Sequence, residues 1–149
     1  MFTENPGLTK RLIFVGHSLG GAIATLAAAA AIANFGVNAM GVECHTYGSP
    51  RTGNTTFTKF FNTYIVLTGP EGAKGKSLRY VNERDPVPQL LSGSSLLGRY
   101  DHVAGEVHIP AAVKGWPVDW LPLVAHHYLG VGTTEDKGDY AHALARLPL

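Results

Sequence analysis

The stretch Arg11-Leu-Ile-Phe-Val-Gly-His-Ser-Leu-Gly-Gly-Ala22 leaves few folds open to this chain. An apolar run, Leu12 to Val15, leads directly into Gly16-His17-Ser18-Leu19-Gly20 and then into an alanine-rich segment, Ala22 to Ala33. Read in order, these are a short strand suited to the centre of a parallel sheet, a tight turn, and a helix of small residues that can lie close to the sheet. The pentapeptide fits G-x-S-x-G, a turn that strains a serine and lifts its hydroxyl above the strand ends. Gly16 and Gly20 lack Cβ atoms, which lets strand and helix approach each other around Ser18. The helix behind aims backbone N–H groups and a partial positive charge at the serine, where an oxyanion would be stabilised. The pattern alone is a weak signal in a chain with 18 glycines, and an ordinary glycine-rich turn is the competing reading. The flanking strand and helix favour the elbow.

Length and charge narrow the rest. The chain has 149 residues, enough for one domain with a real core. Its formal net charge is +1, with no basic run and no aromatic residues interleaved with positive charge, so nucleic acid is not an expected partner. The longest apolar stretch, Ala22 to Ala33, is mostly alanine and too short to span a bilayer, so no transmembrane segment is expected. Met1 to Gly7 has neither a basic n-region nor an apolar h-region, so no signal peptide is visible and the compartment stays open. The single Cys44 can form no disulfide within the chain and reads as a small core residue. Gly75-Lys76-Ser77 resembles the end of a phosphate-binding loop, but Pro70 stands where its first glycine belongs and a strand follows instead of a helix. Neither a cofactor nor a metal is expected.

Along the chain, the first helix should stop near Gly36, a natural C-terminal cap. A second strand is expected within Val37 to Tyr47. Gly48-Ser49-Pro50 then turns the chain, and Thr52-Gly53-Asn54 offers caps for a helix running to about Tyr64. Phe57, Phe60, Phe61 and Tyr64 fall at helical spacing and form one core-facing stripe. Leu78 to Asn82 is the third strand, ended by the prolines of Asp85-Pro86-Val87-Pro88. Tyr100 to Ile109 reads as a fourth strand, and Tyr140 to Leu147 as a last helix. Trp116-Pro-Val-Asp-Trp-Leu-Pro122 is an apolar aromatic loop. Plain packing is its first reading, with an acyl pocket or contact with a lipid surface as the alternatives. The alternation of strand and helix implies an α/β fold: a mainly parallel sheet of about four strands with flanking helices.

Reactive groups in such sheets collect beyond the C-terminal strand ends, where Ser18 and Asp85 both fall. A serine hydroxyl needs a base, usually a histidine held in the right tautomer by a carboxylate. In chain order the acid follows the serine and the histidine follows the acid. Asp85 is the candidate acid, with Glu83 as fallback and a turn-capping aspartate before proline as the competing reading. Five histidines come later: His102, His108, His126, His127 and His142. His102 and His108 fall on or beside the fourth strand, and His142 within the last helix. By position the base is His126, with His127 as the alternative. The Leu19 N–H is the first oxyanion donor. The second normally comes from a loop after an earlier strand, and no such strand precedes Arg11. His17 reads as a packed or hydrogen-bonded structural imidazole.

The residues resemble the class 3 lipases, the fungal triacylglycerol lipase-like branch of the α/β-hydrolases. Gly16-His-Ser-Leu-Gly-Gly-Ala22 is similar to the family's nucleophile segment. Thr46-Tyr-Gly-Ser-Pro-Arg-Thr-Gly-Asn54 resembles its strand–turn–helix signature and is the more specific match. Arg79-Tyr-Val-Asn-Glu-Arg-Asp-Pro-Val-Pro88 resembles the segment of the catalytic acid, which maps onto Asp85. Tyr100-Asp-His-Val-Ala-Gly-Glu106 looks like a structural stretch, which argues against His102 as base. Ala125-His-His-Tyr-Leu-Gly130 resembles the histidine segment. The family spaces that histidine three residues before a tyrosine, and neither His126 nor His127 has that spacing to Tyr128. The resemblance implies a single domain over residues 1–149, the C-terminal portion of an α/β-hydrolase fold. The family's upstream strands, second oxyanion donor and lid helix have no counterpart here. It also implies hydrolysis of acylglycerols or related lipid esters through an acyl-enzyme, without metal or organic cofactor. The alternative is a lipase fragment or pseudoenzyme without turnover, binding lipid or protein through an exposed sheet edge.

Overall fold

A computed structural model describes residues 11–35, 41–65, 76–83, 85–92, 99–109, 127 and 140. The elements run β1 (Leu12–His17), α1 (Leu19–Phe35), β2 (Val42–Tyr47), α2 (Thr55–Tyr64), β3 (Lys76–Asn82), a 3-10 turn (Val87–Gln89) and β4 (Glu106–Ile109). The strands form one sheet in the order β1-β2-β3-β4, and each neighbouring pair is parallel. Strands added in one direction through right-handed crossovers put both helices on the same face. Accordingly, Ala24, Ala28 and Ala29 of α1 and Phe61 of α2 share one core with Val42 and Cys44 of β2. The opposite face carries Tyr47, Tyr80 and Ile109, with Tyr140 packed against them.

Each helix forms for a local reason. The alanines of α1 let it lie against β1 and β2, with Ala28 fully buried. Its other side exposes Ile23 and Leu26, so the helix is apolar all round. In α2, Asn54 is the N-cap, and its side-chain oxygen accepts from the Phe57 N–H at 3.0 Å. Phe61 is the anchor of its apolar stripe. It is fully buried, a contribution of roughly 2–3 kcal/mol, while Tyr64 at the end of the stripe is 46% exposed.

Two strands differ from the sequence-based expectation. The run Leu12 to Val15 predicts a central, buried strand. Among the described residues β1 pairs only with β2, and Val15 is 45% exposed. The fourth strand, expected from Tyr100, starts at Glu106. Gly105 lies just before it at φ +95°, where a Cβ would sit 2.2 Å from the Ser77 carbonyl oxygen. Upstream of that kink the chain turns to α2 instead. Asp101 bridges to Gly53, and its carboxylate accepts from the Thr55 hydroxyl at 2.7 Å. The expected termini of α1 at Gly36 and of β2 at Val37, the last helix beyond Tyr140 and the Trp116–Pro122 loop lie outside the described residues.

His102 ties this segment to the turn after β3. Its Nε2 lies 2.7 Å from the Pro88 carbonyl oxygen, which can only accept, so Nε2 carries a proton. Burial, reinforced by the Arg79 guanidinium, pushes the His102 pKa from the usual 6.5 down to about 4. The folded state therefore holds this imidazole neutral where the unfolded chain would protonate it. Its contribution to stability is complete above pH 6.5 and is lost as the pH falls towards about 4. His102→Gln keeps an N–H donor without titrating. Tm measured across this range is expected to fall less steeply with acid in that variant than in the wild type, and parallel curves would contradict the assignment.

Candidate active site

Parallel strands bring their C-terminal ends to one side of the sheet, and the candidate residues collect there. His17 is in register with Tyr47, and Tyr47 with Tyr80. The ladder continues past the strands: the Ser18 N–H donates to the Tyr47 carbonyl at 2.9 Å, and the Gly48 N–H to the Tyr80 carbonyl at 3.0 Å. Ser18 sits at φ +57°, left-handed backbone that a side chain other than glycine adopts only at a cost. Its carbonyl accepts from the Gly21 N–H at 2.9 Å, which starts α1 immediately behind it. A Cβ on Gly16 would lie 2.1 Å from the Gly20 carbonyl oxygen, so the turn closes only over glycine there. Gly20 itself faces open space. The second tight contact belongs to Gly21, where a Cβ would come 2.7 Å from that of Ser49. Leu19 opens α1, at the end where backbone N–H groups lack partners within the helix.

Asp85 follows β3 and is buried, its side chain 0% exposed. Its Oδ1 accepts from the Val87 N–H at 2.9 Å, so the carboxylate does cap the turn that Pro86 enforces. Both oxygens also face His127 Nδ1, at 3.1 and 2.9 Å. Oδ2 accepts from the Tyr140 hydroxyl at 2.6 Å. A carboxylate cannot donate, so His127 carries its proton on Nδ1 and leaves the lone pair of Nε2 free to act as a base. Tyr140 is fully buried, and its hydroxyl in turn accepts from the Asn82 N–H at 2.9 Å. Burial and the adjacent Asp85 carboxylate push the Tyr140 pKa well above the ordinary tyrosine value, which keeps this hydroxyl a donor.

Gly48 makes this cluster feasible. At φ +56° it turns the chain beneath the pair, and a Cβ there would lie 2.6 Å from Asp85 Oδ2 and 3.1 Å from His127 Nδ1. The link to the serine runs through its neighbour: the His17 ring stacks on that of His127 at 4.7 Å. Among the described residues no hydrogen bond joins the Ser18 hydroxyl to His127.

The structure thus brings Asp85 and His127 into contact and sets Ser18 beside a residue that touches His127. His126 and His142 lie outside the described residues. Glu83, the fallback acid, is exposed at the end of β3. His108 is 71% exposed and pairs with Glu106. Tyr140 and Gly48 went unread as site residues. A tyrosine 55 positions beyond Asp85 carries no local signal of that contact, and Gly48 reads only as a turn. Among the described residues no cluster of three or more histidine, cysteine or acidic side chains could hold a metal ion, and no helix is long and apolar enough to cross a membrane. Burial pushes the Cys44 thiol up to about 12, so it stays protonated within the core.

Comparisons with known proteins bear on the family and the fold. The family model for lipase (class 3) matches residues 1–94. A secreted mono- and diacylglycerol lipase 1 from Fusarium solani is 40% identical over 117 residues, 78% of this chain and 28% of the relative. Among solved structures, a mutant form of MDLA from Penicillium cyclopium has a TM-score of 0.53 at 32% identity, covering 77% of this chain and 36% of that one. A triacylglycerol lipase whose catalytic centre is described as a serine protease triad has a TM-score of 0.52 at 33% identity, covering 67% and 34%. The chain therefore spans about a third of the length of the proteins it matches. With a parallel sheet of the α/β-hydrolase type and a family match over well over half its residues, the chain belongs to the class 3 lipases.

Proposed function

We propose that this chain, acting as one domain, carries the reaction centre of a serine hydrolase that cleaves the carboxylic esters of acylglycerols. Ser18 is the nucleophile, His127 the base and Asp85 the acid that orients it. His127 takes the role assigned by position to His126, because among the described residues it is the imidazole bonded to the acid. The observation that carries the reading is that bond: a buried carboxylate at a strand end, held on Nδ1 of an imidazole whose ring stacks against the neighbour of a strained serine. The relatives named as mono- and diacylglycerol lipases support the substrate class.

The steps follow from the chemistry of these groups. Nε2 of His127 removes the Ser18 hydroxyl proton as Oγ attacks the ester carbonyl carbon. Negative charge moves to the carbonyl oxygen, where the Leu19 N–H at the start of α1 donates to it. The intermediate collapses, the carbon–oxygen bond to the alcohol breaks, and the imidazolium returns its proton to the leaving alkoxide. Water then attacks the acyl-serine as His127 takes its proton, the acyl carbon–Oγ bond breaks, His127 returns the proton to Ser18 Oγ, and the carboxylic acid departs. Asp85 stays ionised throughout and offsets the charge that forms on the imidazole.

A second reading, a binding module without turnover, draws on the stripe of exposed Leu19, Ile23 and Leu26 along α1. One experiment separates the two. A fluorophosphonate probe should label the wild type on Ser18 and leave Ser18→Ala unlabelled. Equal labelling of both, or of neither, would contradict hydrolysis through Ser18.

Two substitutions test the supporting shell. Gly48→Ala puts a methyl group against Asp85 and His127 in left-handed backbone. It is expected to cost about 1–2 kcal/mol of stability and to slow probe labelling by about a hundredfold, since displacing a reacting group by an ångström costs that much. Unchanged labelling would mean that the pair tolerates movement. Tyr140→Phe removes the hydroxyl that donates to Asp85 and accepts from the Asn82 N–H. It should lower stability by about 1–3 kcal/mol in urea unfolding, and a loss below about 0.5 kcal/mol would contradict the role given to this hydroxyl.

A further inference from the structure

His17 makes a contact that a packed imidazole in an elbow does not require. It is the last residue of β1, immediately before Ser18. Its Nε2 lies 2.5 Å from the backbone carbonyl oxygen of His127. That oxygen can only accept, so Nε2 carries a hydrogen and the neutral ring keeps its lone pair on Nδ1. The same ring lies over the face of His127, with centroids 4.7 Å apart and planes 30° from parallel. It also meets Tyr140 at 5.8 Å, tilted by 59°. One side chain therefore touches both groups that donate side-chain hydrogen bonds to Asp85.

His127 is consequently held at three points. Asp85 fixes Nδ1, the His17 donor fixes the main chain, and the His17 ring bounds one face of the imidazole. The carboxylate alone leaves the imidazole free to swing about the Nδ1 bond, and it does nothing to locate the backbone that carries the ring. A bond to the backbone removes that freedom. It also connects the base to β1, the strand that presents Ser18, so both reacting groups share one rigid reference. A strand end places a group more accurately than a loop.

We propose that His17 is a positioning residue for His127, holding the base against the nucleophile's own strand through its Nε2–H donor. The inference rests on the reading of His127 as base and goes beyond it by assigning a role to a histidine that neither attacks nor exchanges protons with substrate. The titratable groups facing the His17 ring are His127 and Tyr140, with Asp85 behind them and Tyr47 opposite in register on β2.

The test uses two variants that divide the side chain's functions and a third, His17→Ala, that removes both. His17→Phe keeps a ring against His127 and loses the donor. His17→Gln keeps a side-chain N–H donor and loses the ring. For hydrolysis of a soluble short-chain nitrophenyl ester, His17→Phe is expected to lower kcat by about ten- to a hundredfold with KM within about twofold, because misplacement of the base affects the chemical step. His17→Gln should recover most of that loss. NMR of histidine-labelled protein supplies a readout independent of turnover: the titration midpoint of His127 should move in His17→Phe and return towards wild type in His17→Gln. If the wild type itself neither hydrolyses the ester nor reacts with a fluorophosphonate, the functional reading fails, while the NMR comparison still decides whether His17 positions His127. Wild-type kcat and an unmoved His127 titration in His17→Phe would overturn the proposal. So would equal impairment of His17→Gln and His17→Ala, the arm that decides if the phenylalanine variant does not fold.

Discussion

A carboxylate removed from water must be met by donors, and most of the site follows from how Asp85 meets that requirement. Leaving such a charge unpaired would be far costlier than any single bond it makes. Its oxygens are satisfied from three directions: the Val87 N–H of its own turn, the Tyr140 hydroxyl, and His127 Nδ1. Each of these has a further consequence. The turn bond sends the chain away from the sheet after β3. The tyrosine recruits a residue 55 positions further along the chain to the strand ends. The histidine bond selects a tautomer and so decides which nitrogen remains basic. Stability and chemistry here depend on the same few hydrogen bonds.

The serine end obeys a different constraint. There, steric exclusion dominates: Gly16 must be bare for the turn to close, Ser18 must accept left-handed backbone, and α1 must begin at once. The ladder bond from Ser18 to Tyr47 and that from Gly48 to Tyr80 hold the two turns side by side. Gly48 then turns beneath Asp85 and His127 with no room for a side chain. The strained backbone at Ser18 and the left-handed turn at Gly48 lie at neighbouring strand ends and rest on the regular sheet below them.

Much of this was legible from residues alone, and the parts that were not share a cause. Local patterns carried the elbow at Ser18, the Asn54 cap of α2, the strand leading to Asp85 and the parallel order of the sheet. Each depends on residues close together in the chain. His126 and His127 are adjacent in a segment with no periodicity to orient either, so position could not choose between them. The evidence for His127 is a tertiary contact, its Nδ1 lying 2.9 Å from Asp85 Oδ2. Tyr140 was invisible for the same reason, its contact being wholly tertiary. β4 starts later than Tyr100 because Gly105 turns the backbone just before Glu106 and Asp101 bridges to Gly53 instead. Gly20 was credited with a close approach that belongs to Gly21, since the two differ only in which side of the helix they face.

Hydrolysis through Ser18 requires that the imidazole bonded to Asp85 also serve its hydroxyl. A crystal structure of the chain after reaction with a phosphonate ester measures this directly. Phosphorus is expected on Ser18 Oγ and His127 Nε2 within about 2.6–3.2 Å of Oγ or of a phosphonate oxygen, with the Asp85 bond to Nδ1 retained. A phosphonylated Ser18 with His127 turned away from it, or with another imidazole in its place, would contradict it.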